Sequence, residues 1–131
     1  MIDSIDRVLV RSERVGDIAI VYAADYLNKL SGKRIERACR THLNEGCRAL
    51  VVDFKNTGLV NSLGVSIMLD VIDAAESAHA PLVFSSVNHQ AAQLFCMLGL
   101  MRHIALARDE HAALAMLEEA HLPASVLPVG S

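Results

Sequence analysis

Leu50-Val51-Val52 is an unbroken apolar run that stops at Asp53, and after a short connection Asn61-Ser62-Leu63-Gly64 opens a long helical pattern. A short strand that is apolar on both sides needs cover on both faces of its sheet. A helix that follows such a strand packs back onto the sheet. The two together restrict the chain to a layered α/β domain. The same stretch brings a serine to the first turn of a helix. Helix N-termini present unpaired backbone N–H groups and a positive partial charge. A serine placed there can cap the helix, or carry a phosphate that those groups would stabilise. Spacing alone leaves both readings open, and Asn61 and Ser62 are both good cap residues.

The neighbouring segments fit that layering. Residues 8–15 alternate apolar and polar, Gly16-Asp17 makes a tight turn, and residues 18–22 are β-branched and apolar, which predicts a hairpin over 8–22. Residues 23–32 read as a connection. Residues 33–45 read as a helix with Ile35, Cys39 and His42 or Leu43 on one side and Gly46 closing it. The strand at 49–54 is followed by a helix over 62–78, whose Ser66, Asp70, Asp73 and Ser77 form one polar stripe. Pro81 introduces a strand at 82–85. Residues 88–98 read as a helix ended by Gly99, residues 103–107 as a strand, and Asp109 as the cap of a last helix reaching about His121. The order ββαβαβαβα implies a mixed, mostly parallel sheet with right-handed crossovers and helices packed against it. The 131 residues form one domain over 1–122, with a flexible tail over 123–131 that contains Pro, Gly and Ser.

Several function classes find no support. A formal net charge of −3 does not suit nucleic acid as the main partner. With no Trp, a stacking surface for single strands is not expected either. No apolar run approaches the ~20 residues of a bilayer span, so no membrane insertion is expected. Cys39, Cys47 and Cys96 are odd in number and form no C-x-x-C, which suits free thiols in a reducing, cytoplasmic setting. His42, His79, His89, His103, His111 and His121 lie at no metal-ligand spacing. Ser62 lacks the G-x-S-x-G context of an α/β-hydrolase nucleophile, and a small serine hydrolase using Ser62 is kept only as a contrasting class. Lys33, Arg34, Arg37 and Arg40 form a basic stripe, either a solvated face or a docking surface for an acidic partner. Phe95, Met97, Leu100 and Met101 read mainly as core, with one or two available for contact.

The chain resembles a STAS domain of the bacterial anti-sigma factor antagonist type. The resemblance covers residues 8–120 and rests on motifs in order: the hairpin, the helix ending Asn44-Glu45-Gly46, the strand Leu50-Val51-Val52-Asp53-Phe54, and Leu59-Val60-Asn61-Ser62-Leu63-Gly64-Val65. Pro81-Leu82-Val83-Phe84 and Leu94-Phe95-Cys96-Met97-Leu98-Gly99-Leu100 follow. The resemblance implies a protein without catalysis, cofactor or metal of its own, monomeric or weakly dimeric. It would bind an anti-sigma factor that is also a serine kinase, release the sigma factor, and be switched off by phosphorylation of Ser62. A metal-dependent serine phosphatase would reverse the switch. The implied partner-binding residues are Asp25, Asp53, Asn61, Ser62, Leu63 and Gly64. A non-switching subunit of a stressosome-like or lipid-transport assembly is the alternative. Two positions depart from the family pattern: Asn61 stands where Asp is usual, and Ala24 where Gly is usual.

Overall fold

The computed structural model describes residues 10–121, with side chains through 119. Five strands form the main sheet: β1 (Ser12–Val15), β2 (Ile18–Tyr22), β4 (Ala49–Asp53), β6 (Leu82–Ser85) and β7 (Ala105–Ala107). Their order is β1-β2-β4-β6-β7. β1 is antiparallel to β2 across a turn in which Gly16 takes φ +60°, and every other pairing is parallel. β4 is central and buried along its whole length, which is why its sequence shows no alternation.

Pairing register sorts the side chains into two layers. Ile20, Val51 and Val83 lie in one row, and Val21, Val52 and Phe84 in the next. The second face is covered by α1 (Lys29–Asn44), α2 (Ser62–Ser77) and α3 (His89–Met97), through Ile35, Cys39, Val65, Met68, Ala91 and Phe95. The first face is covered by α4 (Glu110–His121), through Ala113 and Leu117. Phe54, Phe84 and Phe95 meet edge to face at 5.2–5.6 Å between ring centres, filling the space under α3. Asp109 caps α4 by accepting the Ala112 N–H at 2.8 Å, and Gly46 (φ +92°) follows the end of α1, both as the sequence predicts.

Four features differ from the sequence reading. α1 begins at Lys29 rather than at 33, because Asn28 and Ser31 cap each other's backbone N–H groups. Gly32, read as part of a connection, therefore lies inside the helix. It sits inside the first turn where α1 crosses α2, and a Cβ there would lie 3.1 Å from the Ile67 Cβ. The connections hold two further short strands, β3 (Tyr26–Leu27) and β5 (Leu59–Val60), paired with each other in parallel. A 3-10 turn at Leu100–Arg102 takes up the approach to β7, which starts at Ala105 rather than at 103. Residues 8 and 9 of the expected first strand and the expected tail over 123–131 lie outside the described residues.

His42 joins α1 to the hairpin in surroundings that favour its neutral ring. Its Nε2 lies 2.9 Å from Ser12 Oγ, while Nδ1 is buried without a partner among the described residues. Burial, and then the neighbouring Arg14, hold its pKa below the ordinary imidazole value, with Glu45 opposing weakly. The folded state therefore favours the neutral ring. The unfolded chain takes up a proton near pH ~6.5, so this contribution is complete above that pH and is lost as pH falls toward the lowered folded value. Melting midpoints should accordingly drop more between pH 7.5 and 5 in the wild type than in His42→Gln. Parallel curves for the two proteins would remove His42 as the cause.

Candidate functional site

The C-terminal ends of β2, β4 and β6 point the same way, and the connections that leave them are joined by backbone hydrogen bonds. The Ala23 N–H donates to the Asp53 carbonyl at 2.9 Å, the Gly58 N–H to Asp25 at 2.9 Å, and the Asn61 N–H to Leu27 at 2.9 Å. The Thr57 hydroxyl donates to the Ala24 carbonyl at 2.6 Å, and Asn88 Nδ2 to the Thr57 carbonyl at 3.2 Å. The segment before α2 is thus a fixed ledge rather than a free loop.

Beneath the ledge lies Asp53, 3% exposed. Its Oδ1 accepts the Lys55 N–H at 2.9 Å, and its Oδ2 accepts the hydroxyls of Ser85 at 2.7 Å and Ser86 at 3.1 Å. Ser86 holds a left-handed backbone (φ +58°) at the end of β6. Asp53 is therefore a buried acceptor that fixes where the connections after β4 and β6 leave the sheet, with almost none of it on the surface.

At the end of the ledge Asn61 is extended (φ −121°, ψ 166°) and is the N-cap of α2, its Oδ1 accepting the Gly64 N–H at 2.8 Å. This removes one of the two roles left open for Ser62, that of the cap. Asn61 does the capping, and Ser62 is the first residue inside the helix. Its side chain is exposed and makes no hydrogen bond among the described residues, and its carbonyl accepts from the Ser66 hydroxyl at 2.8 Å. No acidic residue occupies the first turn of α2, so its positive end is not neutralised from within the helix.

Gly64 is buried because the helix start presses on β3. A Cβ at Gly64 would lie 2.6 Å from the Leu27 carbonyl oxygen and 2.8 Å from the Asn28 nitrogen. The segments next to Ser62 expose several apolar side chains: Leu63 is 60% exposed, Leu59 64%, Tyr26 39%, and Leu30, in the first turn of α1, 61%, with the charged Asp25 and Lys29 exposed near Tyr26. Of the residues expected at a partner surface, the structure puts Asp25, Asn61, Ser62 and Leu63 on the outside, and Gly64 and Asp53 underneath. Asp25 contributes chiefly its carbonyl, which accepts from Gly58 and Leu59. Tyr26 and Leu30 were not singled out from the sequence, and Leu59 only as part of a motif, because isolated apolar residues in connections carry no periodic signal. Ser85-Ser86, directly after an apolar strand, was a legible hint of polar work at that strand end.

The other expected features lie apart from this surface. On the basic stripe Lys33 reaches Glu36 at 3.5 Å and Asp70 at 3.9 Å, and Arg40 reaches Glu36 at 3.0 Å; the cationic ends are exposed, while the Glu36 side chain is 14% exposed. Phe95 and Leu100 are core, whereas Met97 and Met101 are exposed. Among the described residues no cluster of His, Cys, Asp or Glu could hold a metal ion, and no helix is long and apolar enough to cross a membrane.

Comparison with known proteins places this architecture. The solved structures that share it include RsbS of Moorella thermoacetica, at 19% identity and TM-score 0.75 over 85% of this chain and 96% of that one. A candidate anti-sigma factor antagonist of Thermotoga maritima matches at 13% identity and TM-score 0.74, over 86% and 97%. The unphosphorylated anti-sigma factor antagonist SpoIIAA of Bacillus matches at 16% identity and TM-score 0.71, over 84% and 96%. No curated protein matches by sequence. The sequence model of the STAS domain matches residues 10–113, which is most of the chain. An exposed helix-start serine on a mixed α/β sheet, the shared architecture and that match together establish that the chain belongs to the STAS domain family.

Proposed function

We propose that this chain is an anti-sigma factor antagonist whose surface around Ser62, with the exposed Tyr26, Leu59 and Leu63, binds an anti-sigma factor with serine kinase activity. Binding releases the sigma factor, phosphorylation of Ser62 ends it, and a metal-dependent serine phosphatase restores it. The observation that carries this reading is the division of labour at the start of α2. Asn61 caps the helix, so Ser62 has no structural task and is exposed among Tyr26, Leu59 and Leu63. The likeness to anti-sigma factor antagonists supports the same reading.

A phosphate at Ser62 adds about −1.5 to −2 charges at a helix start, where negative charge is favoured by ~0.3–1 kcal/mol. The helix tolerates it. A partner packed on the exposed apolar side chains beside Ser62 does not, since it would cover an unpaired charge. Ser62→Asp should therefore keep its melting midpoint within a few degrees of wild type and bind the kinase partner at least ~10-fold more weakly, a difference of about 1.4 kcal/mol. Ser62→Ala should melt like wild type, because the cap belongs to Asn61, should bind, and should take up no phosphate. Wild-type affinity in Ser62→Asp would move the interface elsewhere. Phosphate mapped by mass spectrometry to Ser66 with Ser62 unmodified would end the assignment. A serine hydrolase would instead label at Ser62 with a fluorophosphonate, and no labelling is expected.

A further inference from the structure

The side chain before Ser62 is bonded at both ends. Asn61 Oδ1 must face Gly64, because it accepts that residue's N–H at 2.8 Å. The amide nitrogen is thereby turned toward the Tyr26 hydroxyl, 3.0 Å away. An amide nitrogen only donates, so the tyrosine oxygen is the acceptor. The one proton of the Tyr26 hydroxyl is left without an acceptor among the described residues. Tyr26 is also held firmly: its backbone pairs with Leu59, and its carbonyl accepts the Ser31 hydroxyl at 2.7 Å. The ring is 39% exposed on the same surface as Ser62. Ser62 is the next residue after Asn61, its Cα ~3.8 Å further on.

We propose that Tyr26 is a specificity-determining residue of the switch: Asn61 polarises its hydroxyl outward, and its free proton is donated to the phosphoryl group carried by Ser62. The proposal rests on the reading that Ser62 is phosphorylated. A phosphoserine brings three strong acceptor oxygens to a surface where an oriented donor is waiting. The pair also explains why an amide suits position 61. An aspartate there would accept the Tyr26 proton, turn it inward and add a negative charge beside the phosphate. The charged residues of the surrounding segments are Asp25 and Lys29 on either side of Tyr26, Lys55 on the ledge, Lys33 further along α1 and Asp70 on α2. None of these is altered in the variants below.

The test installs phosphoserine at position 62 during translation, so no kinase takes part and its outcome is independent of whether a kinase partner exists. The second ionisation of the phosphate, near pH ~6, is followed by phosphorus NMR. A donor to the dianion lowers that midpoint, so Tyr26→Phe should raise it by about 0.3 unit or more. Asn61→Asp should raise it as well, and adding Tyr26→Phe to Asn61→Asp should then have no further effect, because the proton already faces the new carboxylate. An unmoved midpoint in Tyr26→Phe, or the same shift in both backgrounds, overturns the proposal. A second measurement needs no substitution. The chain has two tyrosines, so carbon-13-labelled tyrosine gives two ring signals. Tyr22 already donates to Glu110 at 2.6 Å and is the internal control. The Tyr26 Cζ signal should move as the phosphate ionises while Tyr22 stays still. A silent Tyr26 signal overturns the proposal equally.

Discussion

Asp53→Ala should destabilise the domain by about 3–5 kcal/mol, because three donors lose one buried acceptor at once. The Lys55 N–H and the Ser85 and Ser86 hydroxyls all end on its two carboxylate oxygens, and Ser85 is fully buried. Each bond to a charged group is worth ~1.5–3 kcal/mol, but the three are coupled and do not add. For a domain of this size the melting midpoint should fall by more than ~10 °C. Asp53→Asn keeps the shape and one acceptor, and a serine hydroxyl can rotate to accept from the new amide, so its cost should be about 1–2 kcal/mol. Ser85→Ala should cost less in the Asp53→Ala background than alone. Denaturant melts of the four variants beside wild type decide the matter. An Asp53→Ala protein within ~1 kcal/mol of wild type would mean that the carboxylate does not hold the connections after β4 and β6 together.

Asp53 also shows what a sequence can and cannot say about such a site. The run Ala49–Asp53 announced a central buried strand, and the spacing of Ser66, Asp70, Asp73 and Ser77 announced a helix with one solvent face. These are periodic signals, and the sheet, its three covering helices and the capped α4 follow from them. The site's finer parts are not periodic. β3 and β5 are two residues each, too short to alternate. Residues 23–32 read as a connection, although Asn28 and Ser31 within it already had the spacing of a capping pair. Whether Asn61 or Ser62 caps α2 is a shift of one residue, and only the backbone at Asn61 and its bond to Gly64 settle it. Tyr26 and Asn61 are 35 positions apart, and their contact exists because the two connections pair with each other.

That pairing depends on the lack of a side chain at position 64, and Gly64→Ala tests it. Alanine is the better helix former by ~1 kcal/mol, so propensity alone predicts a gain. The position predicts a loss. The new Cβ would sit 2.6 Å from the Leu27 carbonyl oxygen, 2.7 Å from its carbon and 2.8 Å from the Asn28 nitrogen. All three are backbone atoms of a paired strand and a capped helix, so no rotamer change relieves the clash. Overpacking of this kind costs ~1–3 kcal/mol and exceeds the propensity gain only if the backbone yields poorly, which its bonds ensure. A net loss of about 2 kcal/mol and a fall of roughly 5–10 °C in the midpoint are expected. Gly32→Ala is the internal comparison. Its Cβ would meet the Ile67 Cβ at 3.1 Å and the Gly64 carbonyl oxygen at 3.3 Å, a milder crowding, so its cost should be near zero to ~1 kcal/mol. The two variants should also differ in function. Moving the start of α2 off β3 strains the bond from the Asn61 N–H to Leu27 and the contact of Asn61 with Tyr26. Gly64→Ala should thus weaken partner binding even at temperatures where it is fully folded, whereas Gly32→Ala should bind as wild type. Equal stability in the two variants would show that α2 can lift away from Leu27 freely, and the Ser62 surface would then be adaptable rather than preformed.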